Sequence, residues 1–179
     1  MKKSILIPFF TILGLLFANS PSLALSPLGP GSLVRGVSRS AVYYVGPGNG
    51  RYVFLDSTTY NTWYDDFSRV MTISDAELAT MQLRGNVGYR PGSRLIRTRY
   101  DPKVYAVSAD KKLRWIQNEA TARALYGNDW NMYVDTIPEA FFAMYRIGDP
   151  IYQASDFNLY CMINNNWSPI FNESEGTCE

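Results

Sequence analysis

Apolar residues along this chain first alternate with polar ones and then recur at every third and fourth position, and the change of period happens twice. Ser32 to Arg35, Val42 to Val45 and Arg51 to Leu55 are short runs rich in Val, Leu, Tyr and Phe, predicted as strands. Gly46 to Gly50 joins the last two and has the composition of a hairpin loop. After Leu55 the period lengthens. Tyr60, Trp63, Tyr64 and Phe67 stand at i, i+3, i+4 and i+7, which predicts one stripe on a helix capped by Asp56 or Ser57. Ser74 followed by Glu77 predicts a second short helix carrying Leu78 and Met81. Gly85 to Gly92 reads as a turn-rich connection.

The same order then returns. Val42, Tyr43 and Val45 fall on Val104, Tyr105 and Val107, and Trp63 and Tyr64 on Leu125 and Tyr126, all at one spacing (104 − 42 = 62). Leu33-Val34-Arg35 is answered by Leu95-Ile96-Arg97. Lys103 to Val107 and Lys112 to Ile116 supply the second hairpin, with Ser108 to Lys111 as its turn. Asn118 caps a helix with Ala122, Leu125 and Tyr126 on its stripe, and Gly127 ends it. Trp130 answers Phe67, Ile137 answers Ile73, and Pro138 opens the second short helix in place of Ser74. Such self-similarity predicts an α+β protein of two tandem similar modules, residues 32–90 and 91–151. Each is a short β-hairpin or small sheet followed by two short helices. Units of this size are near the lower limit for a self-sufficient core, so the two are expected to dock. Ile151 onward has no counterpart in the first unit, and residues 152–179 are predicted as a C-terminal extension.

These motifs, in this order, resemble a family of uncharacterised secreted bacterial proteins built from tandem modules. Its pattern is a G-[ST]-L-[VI]-[KR] start, a VYYV strand, a GKRY or KKRWI strand, a helix ending near W or LYG, then V-x-x-[IV]-[SP] and a short helix. Here the pattern falls on Gly31 to Arg35, Val42 to Val45, Gly50 to Phe54 and Trp63-Tyr64. It falls again on Leu95 to Arg97, Val104 to Val107, Lys112 to Ile116 and Leu125 to Gly127. The resemblance covers about Gly31 to Gly148 and implies an extracellular setting beside enzymatic or adhesive domains. No catalytic residues come with it. The second unit departs from the pattern at Arg94, which is inserted, and in its hairpin loop, which lacks the glycines.

The N-terminus gives an address. Lys2 and Lys3 precede the apolar stretch Ile5 to Phe17, and Ser22-Leu23-Ala24 has small residues at the positions a signal peptidase reads. Residues 1–24 are therefore expected to be a secretory signal peptide and residues 25–31 a Pro/Gly linker. No later stretch is apolar for long enough to span a bilayer. Without Lys2 and Lys3 the balance is 15 basic (17 − 2) against 16 acidic residues, with no basic run, which argues against nucleic acid as a partner. In an exported chain Cys161 and Cys178 are expected to pair. Such a bridge would be worth about 3 kcal/mol by loop-closure entropy; intermolecular bridges or free thiols are the alternatives.

The chain contains no histidine. That excludes Ser-His-Asp and Cys-His nucleophile arrangements and His-based zinc sites. Carboxylate pairs for glycoside hydrolysis remain in Asp65 with Asp66, Asp110 with Glu119, and Asp135 with Glu139. Asp65-Asp66 reads better as a polar helix end, because adjacent helical residues point apart. Asn128-Asp129 and Asn131 fall short of a calcium loop, which needs a closing Glu. No metal and no cofactor is expected.

Aromatics that keep the apolar period, such as Tyr43, Trp63 and Tyr105, read as core. Tyr44, Tyr52 and Tyr89 break it and are candidate contacts for sugar rings. Arg51 and Arg114 are candidate basic contacts, although charges beside strands also protect sheet edges. These features favour a non-catalytic exported module contacting a cell-wall glycan or a surface protein. A self-assembling subunit of a surface layer or filament is the alternative, and a cell-wall hydrolase the third reading.

Overall fold

Leu33 and Val34 are neighbours in a strand, so their side chains leave opposite faces, yet they are 2% and 0% exposed. A sheet built around such a strand must be covered on both sides. The computed structural model, which describes residues 28–165, 168–170 and 178, shows an α+β protein in which each of two sheets is covered in this way. The expected leader and residues 25–27 of the linker lie outside the described residues.

In the first module β1 (Leu33–Gly36), β2 (Tyr43–Val45) and β3 (Gly50–Phe54) form an antiparallel meander. Helix α1 (Ser57–Asn61) leads to β4 (Val70–Ile73), which lies parallel to β1. Helix α2 (Asp75–Thr80) leads to β5 (Gln82–Val87), parallel to β3, so the order is β4-β1-β2-β3-β5. Tyr60 of α1 joins Leu33, Val42, Phe54 and Val87 on one face. Leu78 of α2 and the following Met81 join Val34, Val45 and Ile73 on the other.

The second module repeats the arrangement with β6 (Leu95–Arg97), β7 (Tyr105–Val107), β8 (Lys112–Trp115), α3 (Glu119–Tyr126), β9 (Val134–Thr136), α4 (Glu139–Phe142) and β10 (Arg146–Ile147). Its order, β9-β6-β7-β8-β10, corresponds strand for strand to the first. Register agrees as well: Leu33 pairs with Tyr44 and Val70, and Leu95 with Ala106 and Val134. The recurring arginines pin corresponding strands. Arg35 Nε donates to Thr72 Oγ1 at 3.0 Å and Arg97 Nε to Thr136 Oγ1 at 3.1 Å. Both first helices are capped alike, Asp56 accepting from Thr59 N and Asn118 from Thr121 N.

Three sequence expectations change. The segment expected as a turn-rich connection begins as strand, because Gly85, Asn86 and Val87 complete β5. Parallel edge strands pair with residues far back along the chain, and short periodicity does not reveal them. The stripe Tyr60 to Phe67 is not one helix, since α1 ends at Asn61. Asp66 Oδ1 accepts from Ser68 N at 2.8 Å and the Tyr60 hydroxyl donates to Asp66 O at 2.8 Å, which turns the chain toward β4. The stripe persists as contact, with the Tyr60 and Phe67 rings stacked 4.3 Å apart. Finally, Ile151 does have a counterpart. It bridges Ile116 in parallel as Val87 pairs with Phe54, and both Ile151 and Val87 are fully buried. Gly148, Asp149 and Pro150 interrupt the edge strand between Ile147 and this bridge.

The hairpin loops converge despite their sequences. Gly46 N donates to Gly50 O at 2.8 Å and Ser108 N to Lys112 O at 2.9 Å, each across a 3-10 turn. The left-handed residues are Gly48 and Asn49 in one loop and Lys111 in the other. Lysine is strained there, and its ammonium is anchored 2.9 Å from Asn86 O of β5, a contact between modules.

Most of the described extension packs into the second module, while Ser168 and Ile170 reach Tyr44 and Gly46 of the first. A 3-10 turn (Ala154–Asp156) and α5 (Leu159–Asn164) carry Phe157 and Met162 into one core with Leu95, Ala106, Ile116, Ala122 and Ile151. A disulfide joins Cys161 and Cys178, the latter in the same core. Among the described residues no helix is long and apolar enough to cross a membrane.

Candidate functional site

The five residues singled out as contacts do not converge on one place. Tyr44 and Tyr52 are cross-strand partners on β2 and β3, half-buried around the face of Leu33 and Phe54. The Tyr44 hydroxyl lies 3.4 Å from Ser168 Oγ of the extension. The Tyr52 ring packs so tightly over Gly46 that a Cβ there would stand 2.7 Å from it. Arg51 leaves the opposite face. Its Nη1 donates to Leu78 O at the end of α2 at 2.6 Å, and the guanidinium lies 4.9 Å over the Tyr43 ring. Arg51 Nε is buried without a hydrogen-bond partner.

Tyr89 is 3% exposed and packs in the second module with Ile96, Tyr105 and Leu113. Burial and then the Asp135 charge push its phenol well above the usual range. Its backbone N–H donates to the Tyr145 hydroxyl at 2.9 Å. Arg114 donates from Nε to Asp149 O at 2.8 Å and lies 5.9 Å over Phe157. Each of these side chains is engaged within the fold by packing, by a hydrogen bond or by both.

The acidic candidates lie on different elements of the chain. Asp65 and Asp66 are exposed, and hydrogen bonds from the Ser68 side chain and backbone hold the Asp66 carboxyl below its usual range. Asp135 is engaged by Arg94 through two bonds of 2.9 and 2.5 Å, while Glu139 opens α4. Glu119 pairs with Arg123 along α3, and the Asp110 side chain lies outside the described residues. Among the described residues no group of three His, Cys, Asp or Glu could hold a metal ion.

One open feature was not singled out by sequence reasoning. A groove of about 410 Å³ runs beside the start of β1 and the edge strand β4, lined by Pro30, Gly31, Ser32, Leu33, Arg69 and Met71. Arg69 lies 5.5 Å over the Tyr64 ring and has no hydrogen-bond or ion-pair partner among the described residues. Burial pushes the Tyr64 phenol up to about 12, and the guanidinium acts against that shift. Phe67 and Met71 are 50% and 37% exposed on either side of Arg69 along the chain. The alternation of Phe67, Arg69 and Met71 is the only sequence signal for this groove. It was hidden because Phe67 was read into a helix.

No protein-family model, no curated protein and no solved structure matches the chain.

Proposed function

We propose that the chain is an exported, non-catalytic binding module of the cell envelope or extracellular space, contacting a cell-wall glycan or a surface protein. The observation that carries this reading is the groove beside β4, where an arginine lying over a ring keeps its donors unengaged. A guanidinium placed there presents its planar donor fork to the groove, which favours recognition over structural use. The disulfide is in keeping with an oxidising compartment. Dispersed acids, several already bonded, support binding rather than hydrolysis, which needs two carboxyls facing each other across a bond. The test is co-sedimentation of the mature chain with isolated envelopes and with purified envelope polysaccharide. Binding to at least one is expected, and recovery wholly in the supernatant of both would sink the reading.

Self-assembly is the second reading, favoured by Leu83 and Ile147. They hold corresponding positions on the edge strands β5 and β10 and are 53% and 62% exposed. Exposed aliphatic edges are a route to strand pairing between molecules. A monomer at high concentration in size-exclusion chromatography would count heavily against it.

A further inference from the structure

The geometry points to the groove beside β4 as a site for a carboxylate-bearing saccharide, with Arg69 as the anion contact; this rests on the binding-module reading above. The argument comes from comparing the same place in the two modules. In the second, the chain enters its sheet through Pro91-Gly92-Ser93 as the first does through Pro30-Gly31-Ser32, but Arg94 is inserted before Leu95. Asp135 pairs with Ile96 in register as Met71 pairs with Val34, so Asp135 and Met71 correspond. Arg94 engages both carboxylate oxygens of Asp135 and lies 6.0 Å over the Tyr133 ring. Gly92 is also closed off, with side chains of Met162 and Ile163 against it. The second module thus fills this place with its own guanidinium–carboxylate pair and its own extension.

The first module keeps only half of that pair. Arg69 immediately precedes β4 as Tyr133 precedes β9, and it lies over Tyr64 where Tyr133 lies near Tyr126, the rings 6.0 Å apart. A guanidinium is present, the carboxylate position is Met71, and no arginine is inserted to fill the space. A ligand carboxylate supplies the missing half, meeting the planar donor fork of Arg69 with two parallel hydrogen bonds. The rest of the groove suits a sugar better than a compact anion. Ser32 lines it with a hydroxyl that can bond a sugar hydroxyl, and Met71 offers apolar surface for ring C–H groups. Its volume falls within the roughly 300–1,000 Å³ of ordinary ligand sites.

The experiment titrates the mature full chain with polygalacturonate, a uronic-acid polymer, and with neutral dextran. Saturable binding to polygalacturonate and none to dextran is expected. Arg69→Ala should weaken it roughly tenfold or more, the effect of losing one charge-assisted contact. Met71→Asp, at an exposed position, places a carboxylate beside Arg69 as Asp135 stands beside Arg94, and should weaken binding comparably with the circular dichroism unchanged. Arg99→Ala makes the same charge change at an exposed site of the second module and should leave binding intact. Equal binding of dextran, equal loss in Arg69→Ala and Arg99→Ala, or no binding of polygalacturonate overturns the proposal. Envelope co-sedimentation separates it from the broader reading. If Arg69→Ala sediments as the parent chain does, the groove is wrong and the binding-module reading stands; if the parent chain itself stays in solution, that reading falls.

Discussion

Phe157→Ala tests whether the C-terminal extension is an appended tail or a structural part of the second module. Phe157 is 2% exposed and shares a core with Leu95, Ala106, Ile116 and Met162. An aromatic side chain of this kind buries about 150–250 Å². At roughly 25 cal/mol per Å² that is about 4–6 kcal/mol as an upper figure. Partial collapse of the site lowers the expected loss to about 3–5 kcal/mol. The Arg114 guanidinium, 5.9 Å from the ring centroid, loses its partner too, a smaller effect of about 0.5–1 kcal/mol within that range. The assay is urea unfolding followed by circular dichroism. With a slope of about 2 kcal/mol per molar urea, the midpoint should fall by roughly 1.5–2.5 M. Tyr152→Ala, at a residue 64% exposed, is the control and should shift stability by less than about 0.5 kcal/mol. A Phe157→Ala midpoint as close to the parent as that control would refute the reasoning and return the extension to the status of a tail.

The Arg94–Asp135 pair, with side chains 32% and 19% exposed, should show a coupling of about 1–2 kcal/mol in a double-mutant cycle of Arg94→Ala and Asp135→Asn. Additive single effects would mean that the ion pair does not help hold the insertion in place. At high pH, Tyr64, Tyr105 and Tyr145 matter, each raised to about 12, chiefly by burial. The folded chain keeps phenol protons that the unfolded chain releases near pH 10, so their contribution is full below pH 10 and is lost as pH rises toward 12. Phenolate absorbance should rise in two classes, the later one together with loss of circular dichroism; a single class near pH 10 with the fold intact would contradict this. Lys111, whose pKa burial lowers, acts in the opposite direction and at lower pH, its gain being complete once pH reaches the ordinary lysine value.

Much of the scaffold was legible because it repeats. Leu33-Val34-Arg35 and Leu95-Ile96-Arg97 carry two core residues and one cross-strand pin each, and a second copy at a fixed spacing makes such short signals significant. The caps at Asp56, Ser74 and Asn118 were legible for a local reason, since a side-chain acceptor and an N–H three residues on need nothing distant. The parallel edge strands were not. What makes Val70–Ile73 a strand is β1, more than thirty residues earlier, and its own four residues, Val-Met-Thr-Ile, do not alternate apolar with polar. Tyr89 shows the same limit from the other side. It interrupts the apolar period in a Gly-rich stretch, yet that stretch passes into the second module and buries the ring there.

The contact candidates fail to converge for one physical reason, which also explains the extension. At the cross-strand pair where the first module has Tyr44 and Tyr52, the second has Ala106 and Arg114. Two rings are large enough to cover the first sheet's face together with Tyr60 and Trp63. Alanine and arginine are not, and the uncovered apolar surface of Leu95, Ala106 and Ile116 must be closed by something else. Phe157 and Met162 close it, with Arg114 laid over the Phe157 ring and the Cys161–Cys178 bridge tying the segment down. Tyr44 and Tyr52 therefore do for the first module what the extension does for the second. Aromatics that break a periodic pattern were read as free for a ligand, but in a small sheet they are the residues with enough area to act as its lid. Among the described residues, an open place remains where the second module has an added pair, Arg94 with Asp135, and the first has Arg69 alone.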